Sequence, residues 1–337
     1  MAFNFTPEEL STTAKKFNKE LMTAMLLGLG DAAKHMSKKT GVRYKEVISK
    51  LDGDFQIGNY NKNKKGNGDV AITARTYQTF KGNLVEPIDP NAILDSAWGA
   101  DTMHADKMKS TPAALIVATH IVKKVSENMY NVLFTAKHDP SDTSKTEKWF
   151  DGFCTVIEKD IKGTNDEGLV NISKELKNIQ TFANAIDDTN AEDVLKAFWR
   201  NCDPVLRNQN VKMYISDNIY FAYEDAYQTN HGHAPFNTDV EQRFLIGTNK
   251  KVELVPLTNM PDNYVILTTQ QNMKLVFNNE TDDDRIYFKD SLSSHYEIDA
   301  LVDKFFGTQF TRVDKDIFCV GMLETAFAAM KPAVEGE

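Results

Sequence analysis

Residues 51–82 carry the pattern that decides the fold: LDGDFQIGNYNKNKKGNGDVAITARTYQTFKG. Asp54–Tyr60 and Val70–Phe80 are rich in Thr, Tyr, Ile and Phe, which favour extended backbone. The nine residues between them contain no apolar side chain and include Lys62, Lys64 and Lys65. This pattern predicts a long two-stranded hairpin with a polar, basic tip. An isolated hairpin is at best marginally stable, so this one should rest on another surface, which its own chain need not provide.

Helix signals lie on both sides of the hairpin. Upstream, Thr6-Pro7-Glu8-Glu9 is a good helix start, because Thr6 can cap the helix and Pro7 suits its first position. An apolar stripe follows at three- and four-residue steps: Leu10, Ala14, Phe17, Leu21 and Met25. We expect this stripe to pack in the same subunit or against a neighbour. Downstream, Ser110-Thr111-Pro112 opens a helix to about Thr135, whose length is about 35 Å.

Beyond the long helix, helices and strands alternate without a regular repeat. The predicted helices are Glu147–Lys159, Asn190–Asn201, Ser216–Tyr227 and the segment from Thr268 to Val276. The predicted extended segments are Val211–Ile215, Val252–Val255, Tyr264–Leu267, Arg285–Lys289 and Phe310–Val320. This order predicts an α+β fold and not regular βαβ winding.

Composition supports a folded globular chain of 337 residues, with 41% hydrophobic and 26% charged residues. That length predicts about two domains. Charge is unevenly spread: residues 1–90 hold 14 Lys/Arg and 10 Asp/Glu, a net of +4, and residues 91–337 hold 25 and 38, a net of −13. A basic extension is therefore expected to meet an acidic body, in the same chain or in another copy. A basic nucleic-acid tail is the rival interpretation.

Motifs for catalysis, metal binding and targeting were sought in the sequence. It contains no Gly-Lys dipeptide of a phosphate-binding loop, no GxSxG and no HExxH. His231 and His233 lack a ligand partner at a recognisable spacing, and Asp282-Asp283-Asp284 lacks the alternation of an EF-hand loop. Cys154 sits on a predicted helix face, where packing is the better interpretation. We therefore expect no metal, no cofactor and no enzymatic activity, although no spacing excludes a catalytic carboxylate pair. Without a signal peptide or a bilayer-length apolar run, a soluble cytosolic product is expected.

The order of elements resembles the major capsid proteins of tailed bacteriophages, the Hong Kong phage ninety-seven fold. The order is an amino-terminal helix, a long basic-tipped hairpin, a long helix, an acidic α+β body and a returning strand. Five stretches are also similar to members from phages and prophages of Bacteroides-type bacteria: Ile72–Tyr77, Asp95–Trp98, Trp149–Phe153, Lys212–Ser216 and Asn259–Thr268. The resemblance covers residues 40–322.

The resemblance implies a division into named parts. These are an N-terminal arm (1–50), an E-loop hairpin (51–82), a P-domain with the spine helix (83–160), an A-domain (161–308), a strand returning to the P-domain (309–322) and a carboxy-terminal tail (323–337). It implies a structural subunit that self-assembles into hexamers and pentamers of an icosahedral shell around double-stranded DNA. Portal, scaffold or decoration proteins would be partners, the host cytoplasm the place of assembly and the virion the final location.

Five residues are the candidates for contacts between subunits: Lys62, Lys64, Lys65, Arg75 and Tyr77. The polar segment Thr229–Thr238 is the candidate for the loop at the capsomer axis. Three other functions stay open: a nanocompartment shell that encloses cargo enzymes, a tail or head-completion protein, and a cytosolic enzyme with dispersed carboxylates.

Overall fold

A computed structural model of the chain describes residues 7–53, 59–60, 62, 70–89, 113–232, 243–262, 264–278, 285–292 and 297–330. Strands in these ranges form two five-stranded sheets and one two-stranded ribbon, with helices packed around them. The mixed architecture confirms the predicted α+β class. No helix in the described ranges is long and apolar enough to cross a membrane.

The amino-terminal helices are part of the main core of the subunit. They are α1 (Pro7–Lys16), α2 (Asn18–Leu27) and α3 (Gly30–His35). Leu21 and Met25 are buried against the long helix α4 (Ala113–Val132). The Ser126 hydroxyl on α4 donates 2.8 Å hydrogen bonds to the carbonyls of Met25 and Val122. The apolar stripe therefore packs within its own subunit. The predicted single helix is interrupted at Phe17, and the predicted start of α4 lies outside the described residues.

The first sheet is built around one long strand. Its members are β1 (Ser37–Lys39), β4 (Phe80–Ile88), β9 (Met273–Phe277), β10 (Arg285–Asp290) and β11 (Ile298–Phe310). The order is β1-β9-β11-β10, and β4 lies antiparallel to β11 from Phe80 opposite Phe306 to Ile88 opposite Ile298. One face of this sheet contributes Ile286, Ala300 and Val302 to the core that holds the amino-terminal helices.

The helix predicted between Thr268 and Val276 is wrong, because the second half of that segment forms strand β9. Met273, Leu275 and Val276 are buried on both faces of the sheet. A strand buried on both faces reads as a continuous apolar run, which periodicity alone does not separate from a helix. The predicted helix 147–159 is also displaced: α5 (Phe153–Lys162) begins after Gly152, whose backbone lies against Phe134.

The second sheet separates two apolar cores. It comprises β5 (Ile179–Phe182), β6 (Val211–Ser216), β7 (Val252–Leu257), β8 (Tyr264–Thr268) and β12 (Phe318–Leu323), in the order β5-β12-β8-β6-β7. Tyr214 and Ile266 point into the main core, whereas Met213 and Leu267 point into a second core. Helices α6 (Ala191–Arg200) and α8 (Asp217–His231) cover that second core, and the short helix α7 (Pro204–Arg207) adds Leu206 to it. The short helix α9 (Glu324–Met330) packs on the main core through Phe327.

Several predicted elements are confirmed with small shifts. Ser216 caps α8 through a 3.2 Å hydrogen bond from the Ile219 N–H, as the sequence indicated. The predicted extended segment 310–320 divides into the end of β11 and the start of β12, with a turn between them. The predicted domain boundaries remain predictions.

Candidate inter-subunit site at the hairpin root

The predicted hairpin is a twisted pair of nine-residue strands, β2 (Lys45–Gly53) and β3 (Val70–Gln78). They run antiparallel, with Lys45 opposite Gln78 and Gly53 opposite Val70. The first strand begins nine residues before the predicted one at Asp54, and residues 54–58 lie outside the described ranges. We call β2 and β3 together the hairpin root, and the rest of the described chain the body.

A buried ion pair joins the hairpin root to the body. Arg75 on β3 donates from Nη2 to Asp160 Oδ2 of α5 at 2.6 Å, and from Nε to the Phe310 carbonyl at 2.7 Å. A third bond runs from Nη2 to the Gln309 side chain at 3.0 Å. The side chains of Arg75 and Asp160 are only 10% and 1% exposed. A paired, hydrogen-bonded guanidinium of this kind fixes both the orientation and the position of the strand that carries it.

Asp160 also organises the loop that follows α5. Its Oδ1 accepts a 2.7 Å hydrogen bond from Asn165 Nδ2, and its backbone carbonyl accepts one from the Asn171 N–H at 2.9 Å. Further along this loop, Glu167 accepts a 2.8 Å hydrogen bond from the Thr76 N–H on the outer edge of β3. The loop therefore covers part of a strand edge that would otherwise be open.

Two lysines of β2 extend the charge pairing to the surface. Lys45 Nζ lies 2.9 Å from Asp166 Oδ1, and Lys50 Nζ lies 2.7 Å from Asp314 Oδ2. Exposed pairs of this type contribute little stability individually. Together with Arg75, they show that part of the basic amino-terminal charge meets the acidic body within one chain. The surface on which the root rests is therefore provided by its own chain.

The structure places Arg75 and Tyr77 inside the subunit. Tyr77 is 3% exposed, its hydroxyl lies 2.9 Å from Thr311 Oγ1, and burial raises its pKa. Both were candidates for contacts between subunits, and the physical reason against that role is that both side chains are already in contact within the subunit. Arg75 contacts α5 and β11, and Tyr77 contacts Thr311 just after β11. Lys62 is exposed, whereas Lys64 and Lys65 lie outside the described residues.

The outer face of the hairpin root carries exposed apolar side chains in a single subunit. Val47 is 63% exposed and Ile72 is 71% exposed. Val47 is paired with Thr76 and Ile72 with Leu51, so both side chains project from the face opposite Arg75 and Tyr77. Near the tip, Tyr60 is 94% exposed. A two-stranded ribbon with one packed face and one apolar open face is suited to contact another surface.

Carboxylates at the root are held by partners within the chain. Asp151 accepts from Lys159 Nζ at 2.5 Å and from the His138 N–H at 3.1 Å, while Asp160 is held by Arg75. No group of three or more His, Cys, Asp or Glu side chains is arranged to bind a metal in the described ranges. Asp282–Asp284 and His233 fall outside those ranges. Burial raises the pKa of the Cys154 thiol well above its ordinary value, which disfavours the nucleophilic thiolate.

Glu192 anchors the end of α8, just before the candidate axial loop. Its carboxylate accepts hydrogen bonds from Asn230 Nδ2 at 2.9 Å and from the Lys196 ammonium, and it contacts His231 Nε2 at 3.0 Å. Burial opposes ionisation, but the bonds from Asn230, Lys196 and His231 outweigh it and lower the pKa of Glu192 from 4.5 to about 2. Of the predicted axial segment 229–238, the structure describes only residues 229–232.

Replacing Glu192 with glutamine is expected to lower the free energy of unfolding by about 2 kcal/mol at neutral pH, because buried donors lose a charged acceptor. The depressed pKa means that Glu192 stabilises the fold above pH 4.5 and loses this effect as the pH falls toward 2. Urea unfolding measured from pH 4.5 toward pH 2 should therefore show a decreasing difference in the free energy of unfolding between the variant and the wild type. Glu147→Gln, at an exposed pair with Lys145, serves as the control. A difference independent of pH would contradict the assignment.

Comparison with known proteins shows similarity in structure but no match in sequence. No protein-family model matches the chain, and no curated protein matches it. Among solved structures, the capsid of a native GTA particle matches with a TM-score of 0.58 and 12% identity over 89% of this chain and 90% of that chain. The cyanophage A-1(L) capsid matches with a TM-score of 0.55 and 14% identity over 89% of this chain and 92% of that chain. The satellite phage P4 procapsid matches with a TM-score of 0.52 and 11% identity over 90% of each chain.

Proposed function

We propose that this chain, whose fold is that of the phage major capsid proteins, is the structural subunit of a viral shell. The observation that carries the proposal is the likeness to shell proteins along about nine tenths of both chains. Copies would form hexamers and pentamers that close into an icosahedral head around double-stranded DNA. The role would be structural, with Asp160 of the body paired to Arg75 so that the ribbon is held in place.

The parts of the subunit take their roles from this proposal. Residues 1–50 would be the N-terminal arm, 51–82 the E-loop, 83–160 the P-domain, 161–308 the A-domain, 309–322 the returning strand and 323–337 the tail. The root of the E-loop begins at Lys45, six residues before the proposed boundary. Membership of the Bacteroides-type group is supported by the five similar stretches of sequence.

The basic tip is proposed to reach the acidic surface of an adjacent copy. The root is fixed on its own body by Arg75, and the tip residues follow its Gly53–Val70 end in the sequence. The apolar outer face with Val47 and Ile72 would be covered in the same contact. Charge complementarity at the tip would guide encounter and register more than it would add affinity.

The acidic remainder of the chain supports loose contact with packaged DNA. A net charge of −13 over residues 91–337 disfavours tight binding through phosphates, so contact would be without sequence specificity. Portal, scaffold and decoration proteins would complete the particle. Assembly would take place in the cytoplasm of the host bacterium.

Electron microscopy of the expressed full-length chain, with sedimentation velocity, tests the function. We expect closed shells or capsomers, and nuclease-protected DNA in particles from infected or induced cells. Shells that enclose a protein cargo would favour the nanocompartment, and rings or tubes would favour a tail component. A small soluble oligomer under all assembly conditions would contradict the shell function and favour an enzyme.

Changing Lys62, Lys64 and Lys65 together to Glu is expected to slow shell assembly at least tenfold at low salt, because the tip would then repel an acidic surface. The difference from wild type should diminish at high salt, where charges are screened. Light scattering during assembly measures the rate. The control variant carries Glu at the exposed positions Lys123, Lys137 and Lys250. Equal rates for the tip variant and wild type at low salt would contradict the docking role.

A further inference from the structure

Two thiols from distant parts of the chain meet in the second core. Cys202 follows the last turn of α6, and Cys319 lies on β12 in the interior of the second sheet. Both are almost fully buried, at 4% and 1% exposed. The Gln180 side-chain nitrogen lies 3.4 Å from Cys202 Sγ and 3.5 Å from Cys319 Sγ, so one donor bridges both sulfur atoms.

The two thiols also interact with each other electrostatically. The Cys202 thiol lies 3.2 Å from the Phe198 carbonyl, to which it can donate. Both residues belong to the same apolar core, which includes Leu195 and Leu206. No third metal-ligating side chain joins them in the described part of the chain. The arrangement is a dithiol without the ligand set of a zinc site.

We propose that Cys202 and Cys319 are an oxidisable pair that closes into an intramolecular disulfide when a low-molecular-weight disulfide such as oxidised glutathione is present. A thiolate of the pair attacks the external disulfide and releases one thiol. The second protein thiol then attacks the mixed disulfide and releases the other. In total two S–H bonds break, one protein S–S bond forms, and the external disulfide is reduced to two thiols.

The environment of the pair makes this reaction slow in the native subunit. The hydrogen-bonding interaction with Cys202, which favours the protonated form of Cys319, and then burial raise the pKa of Cys319 well above its ordinary value. Little thiolate is therefore present at neutral pH, and the oxidant reaches the sulfur atoms only when α6 and β12 separate locally. The rate should rise with pH and with mild denaturant.

The disulfide would be a covalent cross-link between α6 and β12 across the second core. It would join residues that are 117 positions apart, and closing so long a loop restricts the unfolded chain more than the folded one. If the chain is a shell subunit, as proposed above, the pair stays reduced in the host cytosol. It would close after the particle reaches oxidising surroundings. The chemistry itself is independent of shell formation.

The third cysteine supplies an internal control. Cys154 is buried on α5 in the main core, separate from the pair. Its thiol should stay reduced under conditions that oxidise the other two. A Cys154→Ser variant should therefore oxidise like the wild type, whereas Cys202→Ser and Cys319→Ser variants should form no intramolecular disulfide.

The full-length chain, freed of reductant and incubated with oxidised glutathione at mildly alkaline pH, tests the proposal. We expect a mass lower by two hydrogen atoms, a single alkylatable thiol at Cys154, and a linked peptide pair that contains Cys202 and Cys319. The melting temperature should rise by about 5 °C and return to its starting value with reductant.

Two results would overturn the proposal. One is persistence of three free thiols after hydrogen exchange shows that β12 has opened. The other is a stable glutathione adduct on either member of the pair. Both readouts come from the wild-type chain, so a serine variant that fails to fold does not weaken the test. A wild-type chain that forms the disulfide without forming shells would uphold this inference while rejecting the proposed function.

Discussion

Replacing Arg75 with alanine is expected to lower the free energy of unfolding by about 3–5 kcal/mol, because it leaves Asp160 as an uncompensated buried charge. The Phe310 carbonyl and the Gln309 side chain lose donors in the same change. The hairpin root should then detach from α5 and β11, although its own ladder remains. Urea unfolding gives the energy, and protease cleavage within β2 or β3 reports the detachment.

Arg285→Ala is the matched control for Arg75→Ala. Arg285 is also an arginine on a strand that faces an aspartate, but its side chain is 56% exposed and its Nε lies 3.7 Å from Asp303 Oδ2. That change should cost below about 1 kcal/mol. Similar losses for the two variants would show that the Arg75 pair does not fasten the root. Arg75→Lys should recover only part of the loss, since an ammonium cannot make the same forked contacts.

Replacing Gly307 with alanine is expected to cost about 3 kcal/mol or more, because the strands cross too closely there for any side chain. A Cβ atom at Gly307 on β11 would lie 2.1 Å from the Gln78 carbonyl oxygen and 3.3 Å from Thr79 Cα. Both contacts are with backbone, so relief requires the bend between β3 and β4 to move. Thermal unfolding and the soluble yield on expression measure the loss.

Gly168→Ala separates this crowding from the general effect of losing a glycine. Gly168 has a positive φ of 65°, and a Cβ there would meet nothing within 4 Å. Its replacement should cost about 1 kcal/mol through backbone strain alone. If Gly307→Ala were no more harmful than Gly168→Ala, the close crossing at the root would have to be rejected.

Sequence patterns predicted the local elements well where one face of an element meets solvent. The ribbon was visible because residues 70–78 are β-prone and follow a polar segment, and α8 was visible from its cap at Ser216. The general order of helix, hairpin, long helix and mixed body was sufficient to suggest the fold. These signals depend on alternation and on capping, which are properties of neighbouring residues in the chain.

Two buried strands of the first sheet escape these signals, whereas the buried strands β6, β7 and β8 match their predicted segments. The sequence pattern predicts a helix where β9 forms, and it does not predict the 13-residue strand β11 at the centre of the first sheet. β11 mixes Asp303 and Lys304 with Phe305 and Phe306, and all four are buried. Only its partners in β10 are near in sequence, at 8 to 18 residues. Those in β9 are 29 to 37 residues away and those in β4 more than 200, so a local pattern does not report its position.

The candidate site was located only in part. The basic tip and Arg75 were singled out, but their assignment to a neighbour did not anticipate that Asp160 holds Arg75 within the subunit. One signal was present: Asp160 lies between Ile157 and Ile161 on the apolar face of α5. A carboxylate on such a face requires a partner, yet sequence alone did not identify Arg75, which is 85 residues away.

The root makes the hairpin a cantilever, a beam clamped at one end. Its clamp is Arg75, held at once by α5 through Asp160 and by β11 through the Phe310 carbonyl. A load applied to the free end of such a beam appears as torque at the clamp. A displacement of the Gly53–Val70 end of the ribbon is therefore expected to load α5 and β11, the two elements to which Arg75 is bonded.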